Sequence, residues 1–332
     1  MEDDMRTPII AAGLVCMAGA ASAQDTLTVY TYDSFVTEWG PGPVIEQRFQ
    51  ERCDCDLEFV SVGDGAEILS RLRLEGERTE ADVVLGLDEN LAEAARDTAL
   101  FAKHGVESPQ LDLPIEWQDD MFLPFDWGYF AFVYDKTRVE TPPASFEELA
   151  ESDLSVVIQD PRSSTPGLGL VLWVKAVYGD DAADYWERLN DQVVTVTKGW
   201  SEAYGMFLEG EADMVLSYTT SPAYHLIAED DDTKAAAPFE NGHYMQIEIA
   251  GKVASTDNPD LADMFLDFML TDGFQGAIPT TNWMYPAKMP AEGLPEGFDT
   301  LHEPEKALVY LGSEAEAIRD DAIEEWRAVS SQ

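Results

Sequence analysis

Cysteine, histidine and positive charge are all scarce in this chain of 332 residues. It holds 3 cysteines and 4 histidines. The histidines (His104, His225, His243, His302) form no H-E-x-x-H pair, and no zinc-spaced cysteine set surrounds them. G-x-S-x-G elbows and phosphate-loop signatures are also missing, so the usual nucleophile and nucleotide chemistries find no footing. Against 65 acidic residues stand 20 Lys and Arg, a net charge of −45. That balance excludes a general binder of nucleic-acid backbones, which needs basic patches. Past the N-terminus no stretch reaches the ~20 consecutive apolar residues of a membrane span. Internal repeats and low-complexity blocks are absent too.

The one apolar run is an address label. Arg6 precedes IIAAGLVCMAGA, and Ala21-Ser22-Ala23 forms an A-x-A cleavage site. Residues 1–23 are therefore read as a cleavable signal peptide. The acids Glu2, Asp3 and Asp4 are odd in such a leader, so Met5 is an alternative start. Leu14-Val15 before Cys16 does not suit a lipoprotein site. A soluble periplasmic protein is expected. Its remaining cysteines, Cys53 and Cys55, flank only Asp54. A bridge over one residue would be strained, so two structurally minor thiols are expected. The acidic residues are spread along the whole chain, as in EGEAD (209–213) and EDDD (229–232). A halophile-like, salt-screened surface accounts for most of them, with attraction of a cation as the other reading.

Strand and helix patterns alternate. TLTVYTY, CDLEFVSV and ADVVLGLD read as strands, and PGPVIEQRFQERC, AEILSRLRLEG and ENLAEAARD as the helices after them. This rhythm implies a mainly parallel sheet. FDWGYFAFVYDK (125–136) and HYMQIEIAGKVAS (243–255) read as long strands that cross between two halves. Beyond Pro142-Pro143 the pattern restarts, with Ser145 and Glu148 as a capping box. LSVVIQD, VVTVT and DMVLSYTT then supply strands. Ser221 is placed as an N-cap with Pro222 at the first helical position. The fold class is α/β, with two lobes and a ligand cleft between them. Lobe 1 takes residues 24–128 and 252–295, lobe 2 takes 129–251, and 296–332 form a C-terminal helical segment of unassigned lobe.

Open α/β sheets bind ligands where strands end. There this chain places hydroxyls and aromatic rings. Ser163-Ser164-Thr165-Pro166-Gly167 joins a strand to a helix, and either caps that helix or completes an anion cradle at its positive end. Tyr32, Trp200, Tyr218 and Tyr224 sit at strand ends or helix starts, and Trp283 and Tyr285 lie in TNWMYP after a helix. Aromatics so placed either belong to the core or stack on a flat cationic ligand, worth roughly 0.5–2 kcal/mol each. Asp64-Gly65 is an ordinary turn or a close approach of backbone and carboxylate to a ligand.

These words carry a resemblance. TLTVYTYDSF, EWGPGP, ADVVLGLDENL, PFDWGYFAFVYDK, QDPRSSTPGLGL, VTVTKGWSEAY, LSYTTSPAYH and IPTTNWMYP resemble the thiamine-binding periplasmic proteins of ABC importers, from about Leu27 to Pro286 and more weakly in the tail. The resemblance implies the two-lobed type II periplasmic binding protein fold, closing by a hinge. It also implies roles: Asp64 and Gly65 at the aminopyrimidine side, Ser164 and Thr165 at the phosphate side, Trp200 and the YTTS segment (Tyr218, Thr219, Thr220, Ser221) in the site. Tyr32, Tyr224 and Trp283 would enclose the rings. The implied task is capture of thiamine, its monophosphate or its diphosphate and delivery to a membrane permease, without catalysis, cofactor, metal or nucleic acid, as a monomer. The acid load departs from the family pattern. Two alternatives are kept: a ferric-ion carrier using tyrosines, for which Tyr218 and Tyr224 are spaced wrongly, and a thiamine-phosphate hydrolase, for which no nucleophile is placed at a site loop.

Overall fold

The computed structural model describes residues 25–106 and 110–330, so the expected signal peptide lies outside the described residues. Strand β1 (Asp25–Thr31) buries Leu27 and Val29. Helix α1 (Gly42–Gln50) follows, with Ile45 and Phe49 on its buried face. Strand β2 (Cys55–Ser61) returns parallel to β1, from Asp25 opposite Cys55 to Thr31 opposite Ser61. Helix α2 (Gly65–Glu75) buries Ile68, Leu69 and Leu72 and stops at Gly76, whose φ of 59° only glycine takes readily. Strand β3 (Val83–Asp88) is buried throughout, as a strand covered on both faces must be. Helix α3 (Ala92–Arg96) and the short β4 (Phe101–Ala102) lead to β5 (Phe122–Asp135), the longest strand.

Helix α4 (Phe146–Glu151) starts at the expected cap: Ser145 Oγ accepts the Glu148 N–H at 3.1 Å. The Glu148 carboxylate reaches past Ser145 to the Ala144 N–H instead, at 2.8 Å. Then come β6 (Val156–Gln159), α5 (Thr165–Tyr178), α6 (Ala182–Leu189), β7 (Val193–Thr197), α7 (Trp200–Leu208), β8 (Met214–Tyr218), α8 (Pro222–Ala228), β9 (Lys234–Ala236) and β10 (His243–Val253). Helices α9 (Pro259–Met269), α10 (Asp272–Gln275) and α11 (Ile278–Thr281) precede β11 (Tyr285–Pro286), β12 (Ala307–Leu308) and the final α12 (Ser313–Ser330). Residue Ser221 stands at the start of α8 but is not the cap its sequence suggests. Its own backbone is already helical, and its Oγ turns back to the Tyr218 N–H at 3.1 Å.

The sheet order is β2-β1-β3-β10-β5-β8-β6-β7. The strands β2, β1 and β3 run parallel, as do β7, β6 and β8. Between them β10 and β5 run antiparallel to their neighbours. Strand β5 pairs with β10 up to Tyr129 and with β8 from Phe130 onward, so one continuous strand belongs to both halves. Strand β10 lies between β3 and β5 from Glu248 to Gly251. Helix α12 packs on α5 and α6, where Lys175 Nζ reaches Glu325 at 2.6 Å. A second, smaller core forms under α7 around Val133, Val157, Tyr204, Phe207 and Val215.

The cysteines correct the sequence expectation. Cys53 and Cys55 form a disulfide, with Cα atoms 5.2 Å apart. The chain turns between α1 and β2, which draws the Cα atoms into the normal disulfide range. Separation in sequence alone did not convey that bend.

Candidate functional site

A cavity of about 330 Å³ opens where the two halves meet. Strand ends and helix starts build it, because that is where side chains leave the sheet without another strand beside them. Of the residues singled out in the sequence, Tyr32, Asp64, Thr165, Trp200, Tyr218, Ser221, Tyr224 and Trp283 line it.

Trp200 opens α7. Its indole stacks on Tyr204 with centroids 5.0 Å apart, and its Nε1 donates to Ser217 Oγ at 2.8 Å. Across the cavity Trp39, from the first half, approaches it at 6.4 Å. Tyr224 and Trp283 meet edge to face at 5.4 Å. Trp283 has φ 57°, a left-handed backbone that a bulky residue seldom adopts. Its N–H bonds the Ile278 carbonyl at 3.0 Å, and Tyr285-Pro286 beyond it pair with β5, so both flanks hold the turn. Tyr32 leaves β1 and lays its ring where a side chain on Gly86 would stand. Its hydroxyl donates to Glu248 Oε2 at 2.8 Å and accepts from Asn282 Nδ2 at 2.9 Å.

Asp64 precedes α2 and faces the other half. Its Oδ2 accepts from Ser164 Oγ at 2.8 Å, and the Trp200 N–H also bonds the carboxylate. Burial pushes its pKa up to about 6, against the pull of those hydrogen bonds. The Gly65 N–H reaches Thr165 Oγ1 at 3.3 Å, an approach a Cβ on Gly65 would block. Lys198 and Glu67 pair beside it at 2.9 Å. The hydroxyls expected to cradle an anion at the start of α5 thus face a carboxylate of this chain. Ser164 is fully buried and, like Gly65, does not line the cavity.

Thr219 and Thr220 are buried behind the wall. The Thr219 N–H bonds Tyr129 O at 2.9 Å, and Thr220 Oγ1 points at Met284 Sδ at 3.6 Å. Tyr285 stacks on Trp127 at 4.6 Å and serves packing.

Sequence reasoning passed over Ser34, Trp39, Ser201, Tyr204, Glu248, Thr281, Asn282 and Met284, all of which line the cavity. Glu248 carried a usable signal, a lone acid inside the apolar strand MQIEIAG. His225 sits behind the wall. Its Nε2 meets Tyr204 OH at 3.0 Å and its Nδ1 meets Glu229 at 2.7 Å, while Tyr224 OH also donates to Glu229 at 3.0 Å. His225, Glu229 and Asp231 bring donor atoms within 4.8 Å, but both His225 nitrogens already have partners. Among the described residues no basic side chain lines the cavity, while Asp64 and Glu248 do. Such walls suit a flat, positively charged guest with a few polar atoms.

Residues 33–276 match the bacterial extracellular solute-binding protein family. The chain is 54% identical over 320 residues to the thiamine-binding periplasmic protein of Escherichia coli (strain K12), covering 96% of this chain and 97% of that one. Its identity to the protein of the same name from Brucella suis biovar 1 is 49% over 321 residues, covering 96% of each. A solved periplasmic thiamin-binding protein superposes with a TM-score of 0.91 at 53% identity, covering 93% of this chain and 97% of that chain. A ferric binding protein from Campylobacter jejuni, at 16% identity and a TM-score of 0.74 over 91% of this chain and 99% of its own, shares the fold alone.

Proposed function

Because the chain belongs to the bacterial extracellular solute-binding proteins, and among them to the family of the thiamine-binding periplasmic proteins, we propose that it captures thiamine and its phosphate esters and hands them to the permease of an ABC importer. The observation that carries this reading is an aromatic-walled cavity between two α/β lobes, lined among the described residues by acids and no base. The thiamine rings lie against Tyr32, Trp200, Tyr218, Tyr224 and Trp283. An ester tail reaches Ser164 and Thr165 only by taking over the bonds now made by Asp64 and Gly65. Asp64 and Gly65 then serve the ligand directly. Ser221 faces the ligand, and Thr219 and Thr220 support the wall from behind. Lobes 24–128 with 252–295 and 129–251 close over the ligand through β5 and β10, and the permease reads the closed form. The protein works as an exported monomer, with residues 1–23 as its leader, and performs no turnover. Its dispersed acids serve a salt-screened surface.

Titration of thiamine, its monophosphate and its diphosphate into the purified protein, followed by tryptophan emission and by heat, tests this. Saturable binding of one molecule per chain is expected. Lack of saturation with all three, at low and at high salt, would overturn the proposal. A tyrosinate charge-transfer colour on adding ferric ion would favour the iron carrier, and phosphate release from the diphosphate would favour the hydrolase.

A further inference from the structure

Two carboxylates face each other beside the cavity. Glu248 on β10 and Asp126 on β5 are register partners. Asp126 is fully buried and Glu248 is 7% exposed, its open side on the cavity. Glu248 accepts from Tyr32 OH at 2.8 Å and from Gln246 Nε2 at 3.0 Å. Asp126 Oδ2 accepts from Asn282 at 2.6 Å, while its Oδ1 is buried with no hydrogen-bond partner. The titratable groups that face the pair are Asp88 at the end of β3, Tyr32 after β1 and Tyr218 on β8, with Glu89 and Arg319 acting on Asp88 and Asp64 on Tyr218 one step further out. Of those facing the pair none is cationic, and neither carboxylate takes part in an ion pair with Lys or Arg among the described residues.

Two bare negative charges at such a place are too costly to coexist. A proton held between them removes one charge and turns their mutual contact into a hydrogen bond. Burial accordingly pushes Asp126 up to about 8, and burial with the neighbouring Asp126 charge raises Glu248 well above the ordinary carboxylate range. One purely structural role competes with this, in which Glu248 only accepts from Tyr32 and Gln246 and is indifferent to ligand charge.

We infer that Glu248 is the counter-charge for the cationic ring of the ligand, and that it takes up this role by releasing to solvent the proton it shares with Asp126 in the free protein. This rests on the thiamine reading. The balance is simple: cation in, one proton out, no covalent bond changed. The cation favours the ionised pair, so the complex holds fewer protons than the free protein. Affinity therefore rises with pH through the range in which the pair gives up its shared proton, well above the ordinary carboxylate range, and flattens beyond it.

Calorimetry of thiamine binding to the full chain near about pH 7, in buffers of different ionisation heat, reads the proton count. A release approaching one proton per thiamine is expected. The neutral isostere 3-deazathiamine keeps the aminopyrimidine but lacks the cation, so it should release none. Glu248→Gln should abolish release and weaken thiamine by about tenfold or more, while changing 3-deazathiamine by less than about threefold. Asp126→Asn should reduce release while keeping thiamine affinity. Saturable thiamine binding with buffer-independent heat overturns the inference and leaves the functional reading standing. Equal affinity and equal release for thiamine and 3-deazathiamine overturn it as well, with no variant needed. If thiamine does not saturate at all, both fall.

Discussion

Trp200 and Trp283 both line the cavity and are held in different ways. Trp200 is fixed by its indole N–H on Ser217 and by Tyr204 behind it. Trp283 is fixed by a left-handed backbone turn and the edge of Tyr224. Each offers a face to a flat cation, so Trp200→Ala and Trp283→Ala should each weaken thiamine binding by at least about 1 kcal/mol. Fluorescence competition or calorimetry measures it, and unchanged affinity in both variants would remove the stacking argument. These aromatics were legible in the sequence because they stand at the ends of elements, Trp200 where a strand gives way to a helix and Trp283 where a helix gives way to a strand. Glu248 and Asp126 were not. In a chain with 65 acids Asp126 carries no signal until its neighbours are known, and the signal of Glu248, a lone acid in an apolar strand, gives neither its burial nor its partner. Ser164 and Thr165 were legible as hydroxyls at a helix start, but not as partners of Asp64 and Gly65 about a hundred positions earlier.

Helix α5 is apolar all round and lies deep against β5. Gly169 makes that depth possible, since a methyl there would run into the ring of Phe130. Gly169→Ala should cost roughly 1–3 kcal/mol of stability, read as a lower urea midpoint with an unchanged slope. A neutral result would mean that α5 has room to shift outward. At this scale the long periodic segments and the Ser145 cap were readable, because a face of buried residues repeats at helix or strand spacing. The strands β4, β9, β11 and β12, of two or three residues each, were not, since such lengths show no period. Helix α6 escaped notice although Tyr185, Trp186 and Leu189 mark its buried face. The Cys53–Cys55 bridge escaped because a local bend, absent from the spacing, sets the distance between its ends.

Over the whole molecule, a net charge of −45 makes the folded chain repel itself unless salt screens it. The melting temperature should therefore rise by roughly 5 °C or more between dilute buffer and molar NaCl, measured by scanning calorimetry. A flat or falling response would contradict the salt-screened surface. Charge, alternation of strands and helices, and aromatic loop words are properties of short stretches, and for that reason the chain by itself determined its α/β class and its crossing strands and marked the aromatic residues that line the cavity. Which strand neighbours which, and which carboxylate loses its water and its counter-ion, depend on contacts between residues far apart in the chain. Only the packed structure decided that β10 lies between β3 and β5, that Asp64 meets Ser164, and that Glu248 and Asp126 share one buried place, because burial and pairing come into being when segments distant in the chain pack together.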